Sequence, residues 1–468
     1  MSIMANCDIR SRIEAEMAVR GMTFSQLAHE SGVNRGVFSA IFNRNPPKPM
    51  SIHQLDLIAA ALRQPEGWLY DLYVDECFQG GRNHWKRTKM VLLRCVELER
   101  ADLIDRILVL LMEDPTHTHE VFDFAEKLYA EGQRKPSIPF YRCVAENEIK
   151  QHSERLIISQ YKWFRARIGD DLEENRAAAL QFSPFRKRLP VPDQVEGLLQ
   201  LAFISFHLHK WDEVMGLADE MRALLAIIRR DQNDRKQKGL PEERLSAERH
   251  LAVYIGHSFL LKASALKWLG RYEEALASIQ AYEESEDGDG LDEAGLNEVE
   301  RFRLYAEANR LNLHVLMGRL EHLPRYVDYL DHHPEIWLTG FLSIMVAVNR
   351  HRFQIDDILT HYQDHIDAVK PLNSADIHTE GNFPFQMDQS ARLSCQLAIY
   401  SFRLARYPEG MEWLLHTLRR SLSANNRGLA LLCAAYYEQY REKADAEQRA
   451  AFRVLLHDIT EHPEVFLC

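Results

Sequence analysis

Arg35, Ser39 and Asn43 stand four residues apart, so on a helix they share one face. These side-chain types read base edges. Arginine pairs bidentately with guanine, asparagine pairs with adenine, and serine serves either. Asn34 and Gly36 extend the same polar face toward its N-terminal end, the end that meets bases when a helix enters the major groove. Arg44 and Lys48 fit phosphate contacts, which fix position without specifying sequence. Val37, Phe38 and Ile41 supply the opposite, apolar stripe at helical spacing.

Such a helix needs a platform, and the preceding residues provide one. Thr23 suits an N-cap, and with Gln26 it completes the candidate DNA-contact set. Leu27 and Ala28 point inward, and Ala28 lets two helices cross closely. Gly32 supplies a turn with φ > 0, Val33 tucks beneath it, and Asn34 caps the next helix. Residues 8–20 form a first helix through Ile9, Ile13 and Met17. The prolines of NPPKP (45–49) exclude helix. Ser51 caps a fourth helix with Ile52, Leu55, Ile58, Ala59 and Leu62 apolar. A fifth, about 66–74, carries Trp68, Leu69, Leu72 and Tyr73. Five helices with the turn motif on the second and third resemble the phage-repressor (Cro/C1, or XRE) class of helix-turn-helix domains over residues 6–75.

At 468 residues the chain exceeds one compact core. Its net charge is −12, yet residues 1–64 hold seven basic side chains against five acidic ones. An acidic body does not track along DNA, so contact is confined to the head. A head with so few charges binds weakly alone, which predicts a homodimer on a symmetric operator. The seven cysteines form no CxxC pair. Cys77, Cys95, Cys143 and Cys433 lie in apolar surroundings, as buried thiols do. The absence of a signal peptide and of a long apolar run predicts a cytoplasmic protein with no membrane span.

Past residue 90 the pattern is helical throughout. WLGRYEEALASIQ (268–280) joins an apolar helix, a turn, an aromatic residue, acidic residues and a second apolar helix. Looser copies place anchors at Trp211, Leu320, Phe353 and Tyr407 beside Tyr272, with degenerate ones at Leu172 and near Lys135. A basal period near 34–40 is the tetratricopeptide signature, whose units bury their apolar faces only by stacking. The expected fold is all-α: a five-helix helix-turn-helix domain at 1–75, a linker at 76–90, a right-handed tetratricopeptide-like superhelix at 91–425, and capping or dimerising helices at 426–468. Residues 229–244 (a charged loop or helix extension), 283–295 and 367–389 are the expected interruptions.

The concave face of such a stack takes an extended peptide, whose backbone a side-chain amide satisfies from both sides. Tyr305, Asn309 and Asn312 project from one inner helix, although asparagine is a poor interior helix residue. Equivalent faces carry Gln200 and Phe203, Lys267 with Ser264, Asn349, and Arg392 with Gln396. Lys267 or Arg392 suits a carboxylate.

EGWLYDLYVDECF (66–78), HWKR (84–87) and ENEIKQHSERLIISQYKWF (146–164), together with the head-plus-repeat layout, resemble the RRNPP class of peptide-pheromone receptors. That class includes AimR-, PlcR- and NprR-like regulators. The resemblance spans nearly the whole chain. It implies a short signalling peptide bound in the groove, a homodimer, and asparagines that hold the peptide backbone, for which Asn309 and Asn312 match best.

His117-Thr-His119, His207-Leu-His209 and His332-His333 lack ligand partners at metal-binding spacing. No phosphate loop or nucleophile motif occurs, so neither metal, cofactor nor catalysis is expected. Two other readings share the fold: an adaptor that sequesters a protein such as a response regulator, and a phage-type repressor whose body only oligomerises.

Overall fold

The computed structural model describes residues 8–44, 48–78, 85–148, 153–169, 171–238, 247–284, 292–369, 383–423 and 426–461. Among these residues all regular structure is helical, with twenty-four α-helices, five short 3-10 turns and no strand. None is long and apolar enough to cross a membrane. The chain forms two compact units, Met1–Pro190 and Val191–Cys468.

The first unit opens with α1 (Ile9–Val19), α2 (Phe24–Ser31), α3 (Arg35–Phe42), α4 (Ile52–Ala61) and α5 (Tyr70–Phe78). Their starts follow from side-chain chemistry. Asp8 accepts the Ser11 amide at 2.8 Å, Thr23 and Gln26 close a capping box, Asn34 accepts the Gly36 amide at 2.8 Å, and Ser51 pairs with Gln54 in a second box. Each satisfies amides that the first helical turn leaves without partners. Gly32 ends α2 in the left-handed region, at φ 69°. Ile9, Ile13, Met17, Leu27, Ala28, Phe38, Ile41, Leu55 and Ile58 form the core. The fifth helix starts later than its apolar pattern predicts. The Pro65 carbonyl accepts the Trp68 amide and Gly67 adopts φ 78°, which delays α5 to Tyr70.

The expected linker at 76–90 is largely helix. Residues 76–78 complete α5, and α6 (Trp85–Glu97) begins directly after residues 79–84, which lie outside the described set. Burial explains this. Cys77 of α5 and Val91, Leu92 and Cys95 of α6 belong to one continuous core that runs from Ile9 to Trp163. The unit continues through α7 (Ala101–Leu111), α8 (Thr118–Ala130), α9 (Arg134–Asn147), α10 (Glu154–Arg167) and α11 (Leu172–Phe182). Charges bind the first five helices to α6. Arg94 meets Asp56 and Glu66 at 3.3 and 3.2 Å, and Arg87 meets Glu76 at 3.3 Å. The Tyr70 hydroxyl donates to Asp56 at 2.6 Å.

The second unit is a succession of packed helices: α12 (Val191–His207), α13 (Trp211–Gln237), α14 (Leu251–Trp268), α15 (Tyr272–Glu283), α16 (Glu293–Leu316), α17 (Leu323–His332), α18 (Trp337–His351), α19 (Asp356–His361), α20 (Gln363–Val369), α21 (Phe383–Arg403), α22 (Tyr407–Ser423), α23 (Arg427–Tyr440) and α24 (Ala446–Glu461). Packing is mainly between neighbours: α12 with α13 and α14, α14 with α15 and α16, α16 with α18, α18 with α21. Trp211, Tyr272 and Tyr407 are first residues of second helices, as their positions in the repeated phrase predict. Leu320 and Leu172 differ. They are 42% and 41% exposed, so neither fills a gap between helices.

The charged stretch 229–244 begins as an extension of α13, and 239–246 lie outside the described residues, as do 45–47, 285–291, 370–382 and 462–468. Residues 383–389, expected to be irregular, are the start of α21. Pro384 falls in the first helical turn, where no amide hydrogen is needed. Cys77, Cys95, Cys143, Cys395 and Cys433 are buried free thiols, whereas Cys7 and Cys468 lie outside the described residues.

One close approach fixes how α14 meets α16. A β-carbon on Gly256 would stand 2.3 Å from the Phe302 ring, and Phe302 is fully buried. Gly256→Ala must move that ring or part the helices, so we expect a loss of about 1–3 kcal/mol, read as a lower melting temperature with helix content unchanged.

Candidate functional site

Two surfaces gather the residues that the sequence singles out. The first is the outer face of α2 and α3. Thr23, Gln26, Asn34, Arg35, Gly36, Ser39, Asn43, Arg44 and Lys48 are all exposed. Six of them already have local work. The Thr23 amide and hydroxyl both donate to Gln26 Oε1 at 2.8 Å, and Asn34 Oδ1 holds the Gly36 amide. Asn43 Nδ2 reaches Ser39 Oγ at a long 3.4 Å, a bond weak enough to exchange.

Beneath this face, Phe24, Phe38 and Phe42 form an aromatic cluster with centroids 4.9–6.2 Å apart. Arg10 of α1 fixes the far end of α3. Its Nε donates to the Ile41 carbonyl at 3.0 Å, and its guanidinium meets Glu76 of α5 at 3.4 Å. Glu76 also meets Arg87 of α6. The C-terminus of α3 is thereby tied through Arg10 and Glu76 to α6. The sequence separation, 31 residues to Ile41 and 66 to Glu76, hides this link from local pattern reading. Chemically, the exposed face offers guanidinium, amide and hydroxyl groups on a rigid helix, a set able to pair with base edges.

The second surface is a cavity of about 390 Å³ in the second unit, lined by α12, α14, α16, α17 and the start of α18. Phe203, Lys267, Tyr305, Asn309 and Asn312 all line it, so five predicted residues from three separate helices converge. Its wall is an aromatic row. His257 stands edge-on between Phe203 and Phe302 at 5.1 and 5.0 Å, and Phe302 meets Tyr305 at 5.9 Å. Burial, with help from Arg249 and Arg301, pulls the His257 imidazole down to about 4. It is therefore neutral near pH 7 and serves as an apolar ring.

The polar groups of the cavity are few. Asn312 is 4% exposed. Its Nδ2 donates to the Tyr326 hydroxyl at 2.8 Å, while its Oδ1 is buried with no partner. An orphaned buried carbonyl is costly, and here it belongs to a residue lining the cavity. Asn309 is half-exposed, and its Nδ2 donates to the Tyr305 carbonyl at 2.8 Å. Lys267 is the one lysine or arginine lining the cavity. Among the described residues its ammonium has no hydrogen-bond or ion-pair partner, and none of those lining the cavity is an aspartate or glutamate.

The remaining predicted residues lie elsewhere. Gln200 donates to Glu196 Oε1 at 2.6 Å. Asn349 donates to the carbonyl and the side chain of Gln396 at 2.8 and 2.9 Å, which joins α18 to α21. Arg392 stacks on Trp268 with 5.8 Å to the ring centroid, and Trp268 stacks on Trp211 at 5.6 Å. Sequence reading missed His257, Phe302 and Tyr326. His257 continues the Ser264–Lys267 face by two helical turns, and Phe302 continues the Tyr305–Asn309–Asn312 face by one, so the periodicity that found the others held the signal.

A larger cleft, about 510 Å³, is lined by α13 and α14 through Arg222, Arg229, Arg230 and Phe259. Arg222 is already held by Asp219 and stacks on Phe259 at 4.6 Å. No predicted site residue reaches this cleft. Among the described residues no cluster of histidine, cysteine, aspartate or glutamate could hold a metal ion. No protein-family model matches the chain, and no curated protein matches it in sequence.

Proposed function

We propose that the protein is a peptide-responsive transcriptional regulator of the RRNPP type, with a helix-turn-helix head formed by α1–α5 and a tetratricopeptide-like sensing body. The observation that carries this reading is the cavity of about 390 Å³ between α12, α14, α16 and α18. Residues chosen from three distant stretches of sequence for peptide recognition line one hollow, and its volume falls within the range of about 300–1,000 Å³ in which ligands bind. The exposed polar face of α3 supports the DNA half of the reading. In this account the protein acts as a cytoplasmic homodimer on double-stranded operator DNA. The bound peptide shifts the balance between dimers that fit the operator and dimers that do not. It does so only if its affinity for the two forms differs.

Operator binding measured with and without peptide tests the proposal. A peptide pool that occupies the cavity should change operator affinity, and Asn309→Ala should remove the change while leaving peptide-free DNA binding intact. Asn309 is the better probe than Asn312, because Asn312 also holds Tyr326. An operator affinity indifferent to every peptide that binds would sink the regulatory reading.

A further inference from the structure

The cavity combines an aromatic wall, one unpartnered ammonium and no carboxylate. The neighbouring cations of this unit are engaged. Lys262, on the same helix as Lys267, is bonded to Asp219 at 2.9 Å. Arg249 meets Glu196 at 3.2 Å, and Arg392 stacks on Trp268. Lys267 is half-buried and lines the same hollow as Phe203, Leu260, Phe302 and Tyr305, so its ammonium is partly stripped of hydration and gains no ion pair in return. Burial alone pulls it from 10.5 down to about 8. The orphaned Asn312 Oδ1 is a second group that lacks its partner in the same hollow.

We propose that Lys267 is the carboxylate-anchoring residue of the cavity, and that the ligand is a peptide whose free carboxylate sits on an apolar body: the carboxylate on Lys267, the apolar group against the Phe203–His257–Phe302 wall, and a ligand N–H on Asn312 Oδ1. This deepens the peptide-sensing reading and rests on it for the class of ligand. About 390 Å³ is too little for a long peptide in full, so one end enters and the remainder runs outside. The carboxylate enters as the C-terminus of the peptide, or as an aspartate or glutamate side chain. Both supply the charge-assisted hydrogen bonds that an ammonium makes in a low-dielectric site.

The experiment measures reductive methylation of lysines in the full-length protein, with mass-spectrometric readout, and binding by calorimetry. Three synthetic hexapeptide pools ending in Phe, Leu, Ile or Met are compared: free acids without Asp or Glu, the same sequences C-terminally amidated, and amides containing Asp or Glu. The proposal expects a carboxylate-bearing pool to protect Lys267 while Lys262 is modified to the same extent as without peptide. The uncharged amide pool should protect neither. Protection by the first pool assigns the C-terminal carboxylate, and protection by the third alone assigns an acidic side chain.

Lys267→Met should weaken the protective pool roughly ten- to hundredfold, as expected for loss of a charged hydrogen bond, and Lys267→Arg should restore part of it. Affinity of that pool should also fall as pH rises through about 8, where the ammonium loses its proton. The other titratable groups lining the cavity are His207 of α12, His257 of α14, Tyr305 of α16 and Tyr326 of α17. His207 and His257 are pulled downward by burial, and burial pushes Tyr326 upward, so none of these three shifts toward 8. If the acid and amide pools bind equally and Lys267 reacts alike in both, the carboxylate assignment is overturned and the peptide-sensing reading stands. If no pool binds at any pH, both are overturned.

Discussion

Alanine at Arg35 and Asn43 together should abolish sequence-specific operator binding, if the proposed DNA reading holds, while leaving the fold intact. Each side chain can pair bidentately with a base, worth about 1–3 kcal/mol of discrimination, and the two positions lie a full helical turn or more apart, so their effects should nearly add. The fold is spared because both residues are exposed. Phe38 and Ile41, 3% and 0% exposed, keep α3 seated on α2. The caps at Thr23 and Asn34 are untouched, and so is the Arg10 bond to the Ile41 carbonyl. Melting temperature and helix content should match the parent protein. Arg44→Ala provides the contrast. If Arg44 contacts phosphate, as proposed, its removal should weaken binding to all duplexes alike and lower the salt dependence. Competition binding of one duplex against scrambled duplexes separates the two outcomes.

Glu196→Ala should produce the largest loss of stability. Glu196 is 1% exposed, yet it serves three donors: the Tyr254 hydroxyl at 2.8 Å, Arg249 Nε at 3.2 Å and Gln200 Nε2 at 2.6 Å. It thereby joins α12 to α14 at the edge of the stack. Removing the carboxylate leaves the proton of the buried Tyr254 hydroxyl without an acceptor, although the oxygen still accepts the Arg249 amide at 3.3 Å, and it strands the Gln200 amide. Breaking a buried charged network costs about 3–5 kcal/mol. Arg249, whose side chain is 44% exposed, can turn to water, so the lower end applies. A fall of roughly 5–10 °C in the melting temperature follows. Glu196→Gln keeps an acceptor for Tyr254 and should recover more than half of it. A variant with unchanged melting would show that the network contributes little.

Much of the head was legible because its rules are local. Thr23, Asn34 and Ser51 announce helix starts within three residues of the amides they satisfy, and Gly32 announces the turn between α2 and α3. The apolar triplet Ile9, Ile13 and Met17 is the buried stripe of α1. The continuity of the head with α6 was not legible. It depends on Arg87 reaching Glu76, on Arg94 reaching Asp56, and on Cys77 sharing a core with Cys95. Those pairings are visible only once the chain has folded back. The delayed start of α5 had a local signal in Pro65 and Gly67, which the strong apolar spacing of Trp68 and Leu69 outweighed.

The cavity was half legible. Helical spacing identified the inner faces of α14 and α16, so Lys267, Tyr305, Asn309 and Asn312 fell together. Spacing does not say which polar side chains are consumed by neighbours. Gln200 is taken by Glu196, and Asn349 by Gln396, because each finds a partner closer than the hollow. Lys267 stands out for the opposite reason, since no described residue near it accepts its protons.

The central claim is that α3 reads DNA sequence, and selection from a randomised duplex pool at fixed salt tests it most directly. The parent protein should enrich an inverted repeat with half-sites about one helical turn apart, and the Arg35→Ala/Asn43→Ala protein should enrich nothing. A pool that emerges unenriched from the parent protein, or the same motif recovered by both proteins, would contradict the account.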